Sequence, residues 1–465
     1  MAVVAAADFV PTVWADLVRE GGSIVVHGKY LRSAAFAALV FGGPLTAQQQ
    51  PAPVTSVTLA EALRRSQLVA PTVVQAEGGI RTSQLSTRTA IWSLLPIFTV
   101  TPSASLQLAN GQSRLDPVTG QVTSSTDNTT VPSASLNVQA TYRIFDGFAR
   151  SYTLKARQAL EAGADVSLTA AKFNSDYATT QAFFSALSTR QQLAVSQRNV
   201  DAAGGQLRLA SAKLRAGSAT RSDSLAALSS FLQARLGLLS AQNNLVVSET
   251  NLGRLIGVSG RVVATDDSAF YRTSAPLDTA VIRQDAMTRA PSIKTAETSL
   301  FASQQAWRAS KAAQLPTLDV TANSNWFAQR PGYAIVPRRS LGLTLSYSPW
   351  TSYARETTIE NNAITITNNE AILADTRNAI SASLSNAFAA LSTAQETISV
   401  SAAAVAAGEE NLQVVTERYR TGVATITDVL TAQQQLTSAQ VSQLTARYSF
   451  MNAKSLLEQV LGRKL

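Results

Sequence analysis

Four stretches of the sequence alternate apolar and polar residues with a period of two. Between Ser135 and Phe145, the residues Leu136, Val138, Ala140, Tyr142 and Ile144 fall on one face, and Ser135, Asn137, Gln139, Thr141 and Arg143 on the other. Phe98, Val100, Ala104, Leu106 and Leu108 repeat the pattern. So do Leu318, Val320, Ala322 and Trp326, opposite Thr317, Asp319, Thr321, Asn323 and Asn325, and finally Leu341, Leu343, Leu345 and Tyr347. Successive side chains of a strand point to opposite faces, so each stretch predicts a strand of about ten residues. That length and the apolar-out, polar-in pattern suit a strand that crosses a bilayer. One alternating strand by itself more often covers a soluble core. Four of them, with Tyr142, Trp326, Tyr347 and Trp350 near their ends as an aromatic girdle, shift the reading to a membrane.

Between the alternating stretches the period changes to that of helices. All fifteen prolines fall outside two intervals, Asp146–Ala275 and Trp350–Leu465. A proline inside a helix costs about 3 kcal/mol, so long helices need such intervals. Phe148 to Arg215 is 68 residues and Thr351 to Arg420 is 70, each roughly 100 Å of helix at 1.5 Å per residue. Helices of that length belong to coiled coils or stacked hairpins.

The two halves repeat one design. Pro71 and Pro96 recur as Pro291 and Pro316, an offset of 220, and AKLRAGSATRSDSL (212–225) aligns with ERYRTGVATITDVL (417–430), an offset of 205. The difference of 15 is the extra length of the loop between the first two strands. The expected organisation is therefore residues 1–47 as an N-terminal extension and signal peptide, removed on export, then two copies of a short helix, two strands and a long helical hairpin, at 48–275 and 276–465. The leader is read from KYLRSAAFAALVFGGPLTA (29–47): two cations, an apolar run, a Gly-Gly-Pro break and small residues. Residues 1–28 fit no part of that pattern.

Composition narrows the chemistry. There is no cysteine, and the single histidine, His27, falls in the leader. Thiolate zinc sites, cysteine nucleophiles and Ser-His-Asp triads are excluded, and no catalytic, cofactor-binding or metal site is expected. The net charge of +9 is spread over 465 residues without a dense basic run, which does not suit nucleic acid. After the leader no stretch reaches the roughly 18 apolar residues of a membrane helix. A sheet in hydrocarbon must close on itself, and four strands cannot enclose a lumen, so copies must pool their strands. Two chains give eight strands and three give twelve, and only the larger leaves room for an aqueous passage.

The sequence resembles the TolC-like outer-membrane efflux protein family. The resemblance runs from Val57 to Leu465 and rests on VTLAEAL after the leader, the two LP strand beginnings, IFDGF at the first strand-to-helix junction, the paired RxG…TD turns and ARYSFMNAKSLLEQVLG near the C-terminus. It implies a mixed α and β fold, with four strands per chain in a shared twelve-stranded trimeric barrel continued by periplasmic helical hairpins. The implied function is the exit duct of a tripartite efflux pump or type I secretion system, in the outer membrane and in contact with its lipid. The implied partners are a periplasmic adaptor and an inner-membrane transporter, and no nucleic acid. A periplasmic coiled-coil scaffold or adaptor would share the helices without the lipid-facing strands.

The paired turns carry the candidate site. Locally, Gly217 and Gly422 are expected to end a helix in the left-handed conformation, and Thr220 with Asp223, and Thr425 with Asp428, to cap the next one. The resemblance adds that these turns are periplasmic tips that dock the adaptor, and that Asp223 and Asp428 line a gate, up to six carboxylates in a trimer. Where the best-known member has a second acid one turn later, this chain has Thr431. Arg215, Arg420 and Tyr419 are open to two readings, ties or adaptor contacts at the gate, or solvated surface.

Overall fold

The computed structural model describes residues 55–109, 113–115, 121–124, 129–267, 278–328 and 336–465. The leader expected at 1–47 and the apices of both strand-connecting loops lie outside them. The chain divides into two compact units.

The first unit, Leu95–Phe145 with Pro316–Tyr347, is a four-stranded antiparallel sheet. β2 (Ile97–Ala109), β5 (Thr129–Phe145), β7 (Thr317–Ala328) and β8 (Val336–Ser346) lie in the order β2-β5-β7-β8. Between β2 and β5, β3 (Ser113–Leu115) pairs with β4 (Val122–Ser124). The strands are longer than the ten or so residues expected, and the loops correspondingly shorter. The segment 110–132 contains the β3/β4 hairpin and the start of β5, and β8 begins before Pro337 and Arg338. Pairing runs through the prolines: Pro102 is opposite Leu136, Pro132 opposite Leu106 and Pro337 opposite Trp326. Pro102 and Pro337 are on the edge strands, and Pro132 precedes Ala134, where the pairing of β5 with β7 begins.

Register decides that the four apolar sets form one surface. Phe98 is paired with Ala140, Ala140 with Ala322, and Ala322 with Leu341. Directly opposed residues share a face, so the four apolar sets fall on one side of the sheet. On the other face Arg143 is fixed to Asp319 by an ion pair at 2.8 Å, and Thr321 lies beside Gly342. A bulge between Arg143 and Phe145 ends the regular ladder. The apolar face is not covered: Phe98, Leu341, Leu343 and Leu345 are each more than 60% exposed.

The second unit holds the helices: α1 (Leu59–Val69), α2 (Pro71–Trp92), α3 (Ala149–Arg215), α4 (Arg221–Leu255), α5 (Thr279–Arg289), α6 (Pro291–Lys311), α7 (Ala354–Thr421) and α8 (Ile426–Leu461). The two prolines of the repeat, Pro71 and Pro291, both open a helix at its first position, where the missing N–H costs nothing. Two three-residue strands, β1 (Thr55–Val57) and β6 (Val262–Ala264), pair in parallel, a link between the ends of the first half that periodicity did not signal.

α3 and α7 run 67 and 68 residues without interruption. In one stretch the packing order is α2-α3-α6-α7, and in the other it is α4-α3-α8-α7, so the long helices pass through both layers. Buried contacts form separate small cores instead of one: Phe183, Phe184, Leu252, Ile256 and Tyr448 in the first, and Ile293, Leu384, Leu457 and Leu461 in the second. Alanine, serine and threonine fill much of the remaining contact, so helices approach closely with little apolar mass between them. Among the described residues no helix is long and apolar enough to cross a membrane.

Both long helices begin in the same unusual way. Phe148 and Tyr353, immediately before α3 and α7, have φ of 69° and 68°, a conformation rarely adopted by aromatic residues. At the first junction Gly147 is also left-handed, at φ +66°. A Cβ there would sit 2.9 Å from Leu315 Cδ1 and 3.0 Å from the Ala312 carbonyl oxygen. The Asp146 carboxylate accepts the Arg150 backbone N–H and pairs with its guanidinium at 2.7 Å. The turn at Asp146-Gly147 is thus set by a left-handed backbone with no room for a Cβ at Gly147.

Candidate functional site at the helical turns

α3 and α7 end by the same device. The Gly217 N–H donates to the Leu214 carbonyl and the Ser218 N–H to that of Lys213. In α7 the Gly422 N–H donates to Tyr419 and the Val423 N–H to Arg418, at 3.1 and 2.8 Å. This paired closure requires a left-handed residue just past the helix, and the φ values are +75° at Gly217 and +87° at Gly422. A Cβ would meet nothing within 4 Å at either glycine, so the requirement is conformational and not steric.

The following helices begin with reciprocal caps. The Thr220 hydroxyl accepts the Asp223 N–H while the Asp223 carboxylate accepts the Thr220 N–H at 2.9 Å. Thr425 and Asp428 form the same pair, the carboxylate accepting the Thr425 N–H and hydroxyl, both at 2.8 Å. These bonds satisfy N–H groups that a helix start leaves without partners. They hold the Asp428 carboxyl below the usual aspartate range, through the Thr425 backbone N–H first, then its hydroxyl, with a smaller contribution from the Arg418 charge. The four residues therefore cap helices as their spacing indicated.

The two turns belong to one packed cluster. Ala210 of α3 and Ala227 of α4 are buried with Tyr419 of α7 and Ile426 and Val429 of α8. Lys213 crosses between the hairpins: its ammonium donates to the Tyr419 carbonyl and lies 4.3 Å from the centre of the Tyr419 ring. That carbonyl is in the last turn of α7, where a cation also meets the negative end of the helix. Burial raises the Tyr419 hydroxyl pKa first, and the nearby Asp223 charge raises it further. The hydroxyl itself has no hydrogen-bond partner among the described residues.

The arginines behave differently from the aspartates. Arg420 pairs with Glu417 at 2.6 Å, both side chains being more than half exposed, a pairing worth little in water. Arg215 is exposed at the end of α3. Among the described residues neither makes a side-chain bond to the other hairpin. Lys213 does, and no local pattern marks it, because a last-turn lysine looks like ordinary capping and its partner lies 206 positions away.

The aromatic residues occupy two levels of the sheet. Trp326 stands in the row of Leu136 and Pro337, near the loop ends. Tyr347 is ten residues from Pro337 along β8 and 59% exposed. Ten residues span roughly 33 Å of strand, which at a tilt of about 40° is about 25 Å of membrane, the height of a barrel's apolar band. Tyr142, opposite Val320, lies nearer the Tyr347 level. Trp350, with the unforeseen Phe148 and Tyr353, is exposed in the junctions that lead into the long helices.

The family model described as outer membrane efflux protein matches residues 63–258 and 282–463. Among solved structures, the outer membrane protein VceC of Vibrio cholerae is 16% identical with a TM-score of 0.75, over 87% of this chain and 96% of its own. The CmeC outer membrane channel of Campylobacter jejuni is 14% identical with a TM-score of 0.76, over 93% and 94%. The open state of the MtrE outer membrane channel of Neisseria gonorrhoeae is 16% identical with a TM-score of 0.72, over 87% and 89%. Comparison with curated protein sequences finds no match.

Proposed function

The chain belongs to the outer membrane efflux protein family, and on that premise we propose that three copies form one passive conduit whose inner aperture is made by the paired helical turns. It is an outer-membrane efflux channel with a periplasmic helical extension. The family sets aside the scaffold reading, which leaves an uncovered apolar sheet without a purpose.

The observation that carries the trimer is that both layers are open at both sides. The sheet ends at β2 and β8, and in hydrocarbon each unpaired backbone group costs several kcal/mol. The row of helices near the turns ends at α4 and α7. α4 exposes Leu225, Leu228, Leu232, Leu236 and Leu239, and the half of α7 nearer the turns exposes Val400 and Val414. Further copies complete both layers at once. Three copies give twelve strands, enough for a water-filled lumen, whereas eight are filled by their own side chains. Imaging of detergent-extracted single particles tests this reading: a threefold particle is expected, and a monomer overturns it.

At the aperture, Asp223 and Asp428 would supply six carboxylates, a ring that favours cations. The ring is thinner than a doubly acidic one because Thr431 takes the second place. The tips, with Arg215, Gly217, Arg420 and Gly422, would meet a periplasmic adaptor that joins the duct to an energised inner-membrane transporter, of the efflux-pump or type I secretion kind. The protein contributes a path and not a reaction. Bilayer recording on the combined Asp223→Asn and Asp428→Asn variant separates charge from cap, because an amide oxygen still accepts the capping bond. Loss of cation preference is expected, and unchanged selectivity leaves capping as the only role.

A further inference from the structure

The apolar face of the sheet carries a single charge among its described residues. Its rows run Phe98, Ala140, Ala322, Leu341, and next Val100, Val138, Ser324, Arg339. Arg339 therefore points to the side of Trp326 and Leu341, whereas its neighbour Arg338 is paired with Asn325 on the polar face. Beside Arg339 lies a groove of about 550 Å³, floored by Ala140, Ala322 and Ser324 and walled by Phe98, Val138 and Leu341.

We propose that this groove binds an anionic lipid, its phosphate headgroup on the Arg339 guanidinium and an acyl chain along the alanine floor. Depth makes the site tenable. Arg339 is one side-chain row inside the Trp326 row, roughly 5 Å deeper at a 40° strand tilt. An arginine there reaches the interface with its head while its stem stays in hydrocarbon, whereas at mid-membrane the same charge would be strongly destabilising. The floor is low because Ala140 and Ala322 face each other across β5 and β7, so a chain can lie between Phe98 and Leu341.

Among the described residues the face itself offers Arg339 no counter-charge. The strand that would follow β8 in the trimer, β2, presents Phe98, Val100 and Ala104 there, none of them acidic. A planar guanidinium matches a phosphate with two parallel hydrogen bonds. Arg339 stands toward the strand ends that do not lead into helices, so the lipid is one of the outer leaflet.

The proposal rests on the reading of this face as lipid-facing, and the test separates the two. Full-length wild-type protein in detergent is offered equal amounts of phosphatidylglycerol and phosphatidylcholine with the same acyl chains, and retained lipid is counted by native mass spectrometry. Wild type is expected to retain about fivefold more phosphatidylglycerol, the effect of one interfacial cation. Arg339→Gln should bring the ratio near one, Arg339→Lys should keep much of it, and Arg338→Gln should leave it unchanged. No preference in the wild type, a preference that survives Arg339→Gln, or an equal loss in Arg338→Gln overturns the site. Retention of neither lipid by the wild type overturns the site together with the lipid-facing sheet.

Discussion

Replacing Lys213 by methionine would cut a side-chain tie between the first helical hairpin and the last turn of α7. Methionine keeps the apolar stem against the Ala210, Ala227 and Tyr419 cluster but removes the ammonium. Two interactions go with it. One is a charge-assisted hydrogen bond to the Tyr419 carbonyl, and the other a cation 4.3 Å from the ring. The first is worth about 1.5 to 3 kcal/mol and the second about 0.5 to 2. They share one ammonium and are not additive, so a combined loss of about 2 kcal/mol is reasonable.

The Tyr419 carbonyl also accepts the Gly422 N–H, and the next amide, Val423, closes on Arg418. Loosening the last turn of α7 exposes both amides. A change of about 2 kcal/mol in local opening is about a 30-fold change in exchange rate. Hydrogen exchange read by mass spectrometry should show that acceleration in peptides covering 417–424, with little change around Leu384 and Leu457, in a separate core. Tyr419→Phe is the control: it keeps the ring and carbonyl and deletes a buried hydroxyl without a partner, so protection should hold or rise. Equal exchange in wild type and Lys213→Met would refute the reasoning, and so would acceleration spread evenly over the helices.

Three further outcomes follow from the same geometry. Thr425→Ala removes half of a reciprocal cap and should cost about 1 kcal/mol, seen as faster exchange at the start of α8, and unchanged exchange would argue against the cap. Asp428 titrates lower in the fold than in the unfolded chain, so its stabilising effect is complete above the ordinary aspartate range and disappears as pH falls through the lowered folded value. Protection at the turn should decline on acidification in the wild type, and Asp428→Asn should flatten that dependence. Gly147→Ala should destabilise by about 2 kcal/mol or more, because a Cβ there combines left-handed strain with contact to a backbone oxygen. Gly237→Ala, inside α4 with nothing within 4 Å, should instead stabilise by up to about 1 kcal/mol. Thermal unfolding gives both signs, and the same sign for both variants would refute the distinction.

Much of the protein is written locally in its sequence. The alternation in 135–145 and its three relatives specifies strands, because a strand shows its side chains to two sides in turn. The proline-free intervals mark where α3 and α7 can begin and leave room for both helices of each hairpin, since proline is the strongest local veto on a helix. Gly217, Thr220 and Asp223, with Gly422, Thr425 and Asp428, specify the ends of those helices, because caps bond to residues within one turn. Each of these features depends on neighbours no more than five positions away.

What the sequence left open depends on residues far apart. Arg339 joins the apolar face of the sheet because the register pairs it with Ser324, and a slip of one residue would have put it on the polar side. Lys213 and Tyr419 meet only because α3 packs on α8 and α8 on α7. Phe148 and Tyr353 adopt a left-handed backbone against their own preference, which only the surrounding junction can impose. Local chemistry chose the elements and their ends, whereas pairing between distant segments chose which residues share a sheet face and which side of each helix packs on another.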